Sequence, residues 1–172
     1  LVDAGGETLI ARMVSRLLHV ENVLVTAVTN DDLFADIILA CPSIQVVLNP
    51  EPEQGRTGSI QRGLASILER NGRLPQRLLI VPVDRPGWSI EVLNTLLKSD
   101  VSSYPVWNNQ GGHPLLLVGD DIKTVYLSEG DVPLSSLVSR TQIPVEFPYL
   151  HLNIDTVDDL EQLNLAAKEE WF

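Results

Sequence analysis

The chain has 172 residues, of which 44% are hydrophobic and 20% are charged, as is typical of a single folded domain. Its 23 acidic residues outnumber its 12 basic ones and give a net charge of -11, which argues against non-specific binding to nucleic acid or an anionic membrane. A single cysteine forbids an internal disulfide and a cysteine-based metal cluster. No apolar run approaches a membrane span and no signal-peptide pattern is visible, so we expect a cytoplasmic protein.

The first half of the chain alternates predicted helices and strands. Thr8 precedes apolar residues at helical spacing from Leu9 to Leu18, which predicts a capped helix with Arg12 and Arg16 on its polar side. The pattern then predicts a strand over 23–28, a helix from 31 to about 40 and a strand over 44–48. A polar stretch over 51–58 leads into a helix that ends at 71–72.

The second half begins with a strand over 78–83, whose continuous apolar run predicts burial on both faces. Asp84 follows directly, and Ser89 opens a helix that runs to 97. Segments 104–107 and 113–118 predict a hairpin, followed by helices over 120–127 and 134–140. A strand over 143–147 and an extended piece over 150–154 come next. Thr156 then caps the last helix, with Asp159 three residues further on.

This order of elements predicts one α/β domain over residues 1–172. We expect a three-layer, Rossmann-like arrangement, with a mostly parallel sheet, helices on both of its faces and a hairpin in the second half. The sequence contains neither a G-x-G-x-x-G fingerprint nor a Walker loop, so neither a dinucleotide site nor a P-loop is indicated.

Asp84 is the first candidate for chemistry. The carboxyl ends of strands are where open α/β sheets bind ligands, and a carboxylate beside a buried strand needs a compensating partner. A divalent metal that carries a phosphorylated ligand is one such partner. The alternative is that Asp84 caps the helix that opens near Ser89, and Arg85 could also pair with it.

Three motifs together resemble one family. Asn49–Pro50 followed by Gly-Arg-Thr-Gly-Ser over 55–59 resembles the nucleotide-contacting loop of the MobA-like nucleotidyltransferases. The segment Val-Pro-Val-Asp-Arg-Pro over 81–86 is similar to the metal-binding strand end of that family. Gly-His-Pro over 112–114 and Asn-Ile-Asp-Thr over 153–156 resemble its later half, and the first of these is a feature of the branch related to molybdenum cofactor cytidylyltransferase. The resemblance runs from Leu1 to about Leu163.

The resemblance implies a Mg²⁺-dependent nucleotidyltransferase that moves CMP from CTP to a phosphorylated small molecule such as molybdopterin. It implies that Asp84 and Asp155 bind the metal and act in catalysis, with Asn153 as a further candidate ligand. The alternative for Asn153 and Asp155 is a simple turn before Thr156. No nucleic-acid or membrane partner is implied, and we expect a monomer or a weak homodimer.

The resemblance also implies a set of residues that contact the substrates. Those expected at the base and ribose of the nucleoside triphosphate are Gly55, Thr57, Gly58 and Ser59, and their alternative is an ordinary loop and helix start. His113 is expected beside the phosphate of the acceptor, and its alternative is a residue at the end of a hairpin.

The chain departs from the family pattern at its beginning. The family has an N-terminal strand, a glycine-rich phosphate loop with an Arg, and then a Lys. Here no lysine occurs before Lys98, and Gly5–Gly6 fits a later turn of the family. We expect the strand and loop to precede Leu1 in a longer protein. The alternatives are a degenerate, non-catalytic nucleotide-binding or regulatory homologue, and a nucleotidyltransferase that acts on a sugar phosphate.

Overall fold

The computed structural model describes residues 1–172. The helices are α1 (Leu9–Leu17), α2 (Asp31–Ala40), α3 (Gly55–Asn71), α4 (Ile90–Leu97), α5 (Asp120–Leu127), α6 (Leu134–Leu137) and α7 (Asp159–Ala166), with a 3-10 turn over Pro52–Gln54 before α3. The strands are β1 (Thr26–Thr29), β2 (Gln45–Leu48), β3 (Arg77–Ile80), β4 (Ser103–Trp107), β5 (Gln110–Gly111), β6 (Leu115–Val118) and β7 (Thr141–Pro144). No helix is both long enough and apolar enough to cross a membrane.

The strands form two sheets rather than one. β1 and β2 make a parallel pair, and the other five strands form a sheet in the order β3-β6-β4-β5, with β7 also paired to β4. Within this larger sheet only β4 and β7 form a parallel pair, and β6 runs antiparallel to both of its neighbours, β3 and β4, which therefore share one direction. The expected mostly parallel sheet is therefore wrong, although the α/β class is confirmed.

The physical reason for this difference is the return of the chain after β4. A short turn after Trp107 sends β5 back along β4, and β6 then enters between β3 and β4. A short connection can join only antiparallel strands, whereas a parallel strand needs a long crossover. The hairpin is thus formed by β4 and β5, while β6 pairs with β3 along its whole length.

Helices cover both faces of β3, as the sequence predicts. Successive residues of a strand point to opposite faces. Leu79 packs against a cluster that contains residues of α1, α4 and α7. Ile80 belongs to a second cluster, which also contains Leu64 of α3 and two residues of α5. These two clusters form the core, and the C-terminal Trp171 and Phe172 dock on the first of them.

Several predicted boundaries are corrected by the structure. β1 begins at Thr26 rather than at 23, and β3 ends at Ile80 rather than at 83. Pro82 lacks the N–H that a strand ladder needs, and its carbonyl accepts a hydrogen bond from the N–H of Arg85, which closes a turn. The segment 150–154 forms no strand, and the N–H groups of Leu150 and Leu152 close tight turns at its beginning.

Candidate functional site

Asp84 lies in the turn after β3, four residues beyond the end of the strand. Its backbone carbonyl accepts a hydrogen bond of 2.8 Å from the N–H of Ile154. This contact brings Asp84 to the segment that contains Asn153 and Asp155, which the sequence placed seventy residues away. The side chain of Asp84 is 34% exposed, so its carboxylate reaches solvent at this junction.

Two structural roles were open for the Asp84 side chain: the ion pair with Arg85 is weak, and the helix cap is absent. Nε of Arg85 lies 3.8 Å from Oδ2 of Asp84, a distance too long for a hydrogen bond, and both side chains are partly exposed. Partly solvated pairs of this kind contribute little to stability. Ser89 caps α4, because its Oγ accepts a hydrogen bond from the N–H of Val92. The helix-capping interpretation of Asp84 is therefore wrong.

Asn153 and Asp155 flank Ile154 and carry further side-chain oxygens. The side-chain amide of Asn153 donates a hydrogen bond to the carboxylate of Asp155, while Oδ1 of Asn153 is buried without any hydrogen-bond donor. The Oδ2 of Asp159 accepts hydrogen bonds from the backbone N–H of Asp155 at 3.0 Å and from the N–H and hydroxyl of Thr156 at 2.7 and 2.9 Å. Asp155 thus takes part in the turn before α7 through its backbone.

These residues fit a divalent cation of the magnesium type. The carboxylates of Asp84 and Asp155 and the unpartnered Oδ1 of Asn153 are all hard oxygen ligands, which Mg²⁺ prefers. The chain has no group of three or more His, Cys, Asp or Glu side chains that could hold a metal. Magnesium nevertheless suits such a sparse set, since it binds one or two carboxylates and keeps several waters.

The residues at the start of α3 already have partners within the protein. The hydroxyl of Thr57 donates a hydrogen bond of 2.7 Å to the carbonyl of Val132, and the N–H of Gly58 donates to the carbonyl of Gly130. Thr57 and Gly58 are buried and hold this neighbouring loop in place. Gly55 and Ser59 remain nearer the surface, and the nucleotide contacts of all four residues stay a prediction.

His113 lines a cavity of about 490 Å³. The pKa of His113 falls from 6.5 to about 4, mainly because burial disfavours the charged ring and also because Arg56, Arg85 and Arg140 repel the proton, while Asp84 opposes them. The imidazole is therefore neutral at pH 7, and its Nδ1 is buried without a partner. Since Coulomb interactions weaken with distance, the effect of Asp84 on His113 also shows that the Asp84 turn lies near this cavity.

The sequence did not reveal two sets of residues at this site. The cavity is also lined by Arg56, which lies within the 55–59 motif, and by Tyr104, Asp131 and Arg140, which belong to no motif. Arg16 was placed on the polar side of α1, yet it is only 7% exposed.

Buried Arg16 braces the loop that follows Asp84. Its guanidinium donates hydrogen bonds to the backbone carbonyls of Trp88 at 2.5 Å and Pro86 at 3.3 Å. It also lies 4.1 Å from the centre of the Trp88 ring, which favours a cation–π contact. Burial, and to a smaller extent the charge of Arg12, lowers the pKa of Arg16 to about 10.

Comparison with solved structures shows the fold. The chain is similar to Rv0371c of Mycobacterium tuberculosis H37Rv, solved in complex with manganese, with a TM-score of 0.78, 14% identity, and coverage of 96% of this chain and 90% of the other. It is similar to 4-diphosphocytidyl-2C-methyl-D-erythritol synthase of Anaerococcus prevotii, with a TM-score of 0.71, 13% identity, and coverage of 98% and 92%. Molybdopterin-guanine dinucleotide biosynthesis protein A of Archaeoglobus fulgidus matches with a TM-score of 0.63, 18% identity, and coverage of 98% and 90%.

Sequence comparison identifies the family. No curated protein sequence matches the chain, but the family model of the MobA-like NTP transferase domain matches residues 1–144. This match covers both the 55–59 segment and the Asp84 turn, and the resemblance noted in the sequence is confirmed. The chain therefore belongs to the MobA-like NTP transferase family, and it is a nucleotidyltransferase.

Proposed function

We propose that the protein transfers CMP from CTP to a phosphorylated small molecule of the molybdopterin type, with Mg²⁺ as its cofactor. One observation carries this proposal. The carboxylate of Asp84 has no hydrogen-bonded partner, and the backbone carbonyl of Asp84 accepts the hydrogen bond from Ile154 that brings this turn to the segment containing Asn153 and Asp155. The cavity of His113 lies close by, so a metal-bound nucleotide and an acceptor could meet there.

The protein residues would bind and orient the reacting groups. A divalent cation held by Asp84 and Asp155 would offset the negative charge that develops on the phosphoryl oxygens. Asn153 would support this site through its unpartnered Oδ1. Neutral His113 would keep a hydrogen-bonding ring beside the acceptor phosphate without a charge of its own.

The manganese complex of the Rv0371c structure supports a divalent cation in this fold. The other two neighbours are named after a diphosphocytidyl compound and after a molybdopterin-guanine dinucleotide. Both names describe nucleotide chemistry, but they differ in the base. The choice of CTP over GTP, and of the acceptor, therefore needs a direct test on this protein.

The test is pyrophosphate release by the full-length gene product. Each of the four nucleoside triphosphates is combined with molybdopterin or a sugar 1-phosphate, in the presence of Mg²⁺ or Mn²⁺ and with EDTA as control. We expect release with CTP and molybdopterin, and none with EDTA. Release only with a sugar phosphate would replace the proposed acceptor. Tight triphosphate binding without release for any pair would favour the non-catalytic alternative.

A further inference from the structure

Two arginines from distant parts of the chain meet at the cavity that His113 lines. Arg56 belongs to the first turn of α3, and Arg140 lies directly before β7. Neither forms an ion pair, since the ion pairs of this chain join Arg77 to Asp100 and Arg85 to Asp84. Two arginines thus meet at one cavity in a chain with a net charge of -11, which makes this cavity a candidate site for an anion.

The charges around the cavity leave a positive balance. Asp131 is the one acidic residue that lines it, against Arg56 and Arg140. His113 does not add a charge, because burial and the neighbouring arginines keep its ring neutral. Both arginines lower the pKa of His113, in keeping with their positions at the same cavity.

Arg140 lies beside an aromatic ring of the cavity. Its guanidinium carbon lies 5.6 Å from the centre of the Tyr104 ring, and its side chain is half-buried. Gly111 leaves room for Tyr104, because a Cβ at that position would lie 2.7 Å from the ring. The planar guanidinium carries N–H groups whose geometry matches the oxygens of a phosphate.

We propose that Arg56 and Arg140 clamp a phosphate group of the substrate inside this cavity, with the Tyr104 ring beside Arg140. A volume of about 490 Å³ lies in the range of small-molecule sites. The proposal rests on the proposed function in identifying the phosphate as that of the acceptor. The triphosphate of the nucleotide is the other source of the same chemistry, and the two are separated by experiment.

The experiment measures ligand binding by calorimetry in the full-length protein, without activity as a readout. The probes are inorganic phosphate and phenyl phosphate in EDTA, and CTP with Mg²⁺. The variants are Arg56→Gln and Arg140→Gln, with Arg62→Gln as a matched control, since Arg62 is an exposed arginine further along α3 that does not line the cavity. Circular dichroism checks folding. If Arg140→Gln does not fold, exposed Arg56 still provides the test, and Arg140→Lys keeps the charge without the planar group.

We expect each clamp variant to bind phenyl phosphate and phosphate about tenfold more weakly, as for one lost charge-assisted hydrogen bond, while Arg62→Gln stays within about twofold. If only the binding of CTP were weakened, the clamp would still be supported, and its ligand would be the triphosphate. Unchanged binding of all three probes would overturn the clamp. If pyrophosphate release still depended on Asp84 in that case, the proposed function would stand. If the clamp variants lost phosphate binding in a protein without any transferase activity, the clamp would stand alone.

Discussion

The neutral, half-buried His113 makes the stability of the fold depend on pH. Its pKa is about 4 in the folded protein, against 6.5 for an unperturbed ring. The folded state thus binds this proton more weakly, and between pH 6.5 and 4 the unfolded chain takes up more protons. The contribution of the neutral ring to the free energy of unfolding is complete above pH 6.5 and is lost as the pH falls towards 4.

The size of this effect follows from the two pKa values. At 1.36 kcal/mol for each pKa unit, the difference corresponds to about 3 kcal/mol, and partial contact of the ring with solvent reduces this to about 2 to 3 kcal/mol. His113→Gln removes the titrating group while it keeps a polar side chain of similar size. Between pH 6.5 and 4, the free energy of unfolding of the variant should therefore fall by about 2 to 3 kcal/mol less than that of the wild type.

Urea unfolding at half-unit pH steps measures this difference directly. Carboxylates also titrate in this range, but they do so equally in both proteins and cancel in the comparison. His19→Gln is the matched control, because His19 is an exposed histidine far from His113 in the sequence. Parallel curves for the wild type and His113→Gln would refute the buried, neutral state of His113.

Three further substitutions test how the site is held, each by urea unfolding. Gly87→Ala should unfold the chain or destabilise it by several kcal/mol, because its methyl group would lie 1.9 Å from the carbonyl oxygen of Tyr149; near-wild-type stability would contradict this packing. Leu64→Ala should cost about 2 to 5 kcal/mol through the cavity it leaves, whereas Leu39→Ala, at 80% exposure, should stay within about 0.5 kcal/mol. Arg16→Met should cost about 2 to 4 kcal/mol because two buried carbonyls lose their donor; a smaller loss would show that water replaces it.

Local elements of the fold could be predicted because their signals are local. The helical spacing after Thr8 places α1, and the Oγ of Thr8 accepts the expected hydrogen bond from Ala11. Ser89 caps α4 in the same way, and Gly72 ends α3 in the left-handed conformation. Hydrophobic periodicity and capping residues act within a few positions of the chain, so a single sequence contains enough information to find them.

Sheet order could not be predicted, since strand partners are chosen by long-range packing. Nothing within the sequence of β6 shows that it enters between β3 and β4. Arg16 was misplaced for a related reason. A charged residue on a helix predicts a solvated position, but the long arginine side chain finds carbonyl partners in a loop seventy residues away.

The candidate site likewise contains some residues that sequence motifs identify and others that they do not. The Asp84 turn and the 153–156 segment belong to motifs with a fixed order, and the structure brings them together through one backbone hydrogen bond. Arg56 lies within the 55–59 motif but Arg140 belongs to no motif, and the two line one cavity only because α3 and β7 both begin there. Such a constellation becomes visible only once the fold brings separate segments together.

The role of Asp84 is tested most directly by pyrophosphate release from the full-length protein with Mg²⁺ and its preferred substrates. Asp84→Asn keeps the size and polarity of the side chain but removes its charge, and Asp120→Asn is the control because Asp120 is an exposed acid at the start of α5. We predict a loss of about a hundredfold or more for Asp84→Asn, with an unchanged unfolding curve, and wild-type turnover for Asp120→Asn. Near-normal turnover of Asp84→Asn would contradict its role at the metal.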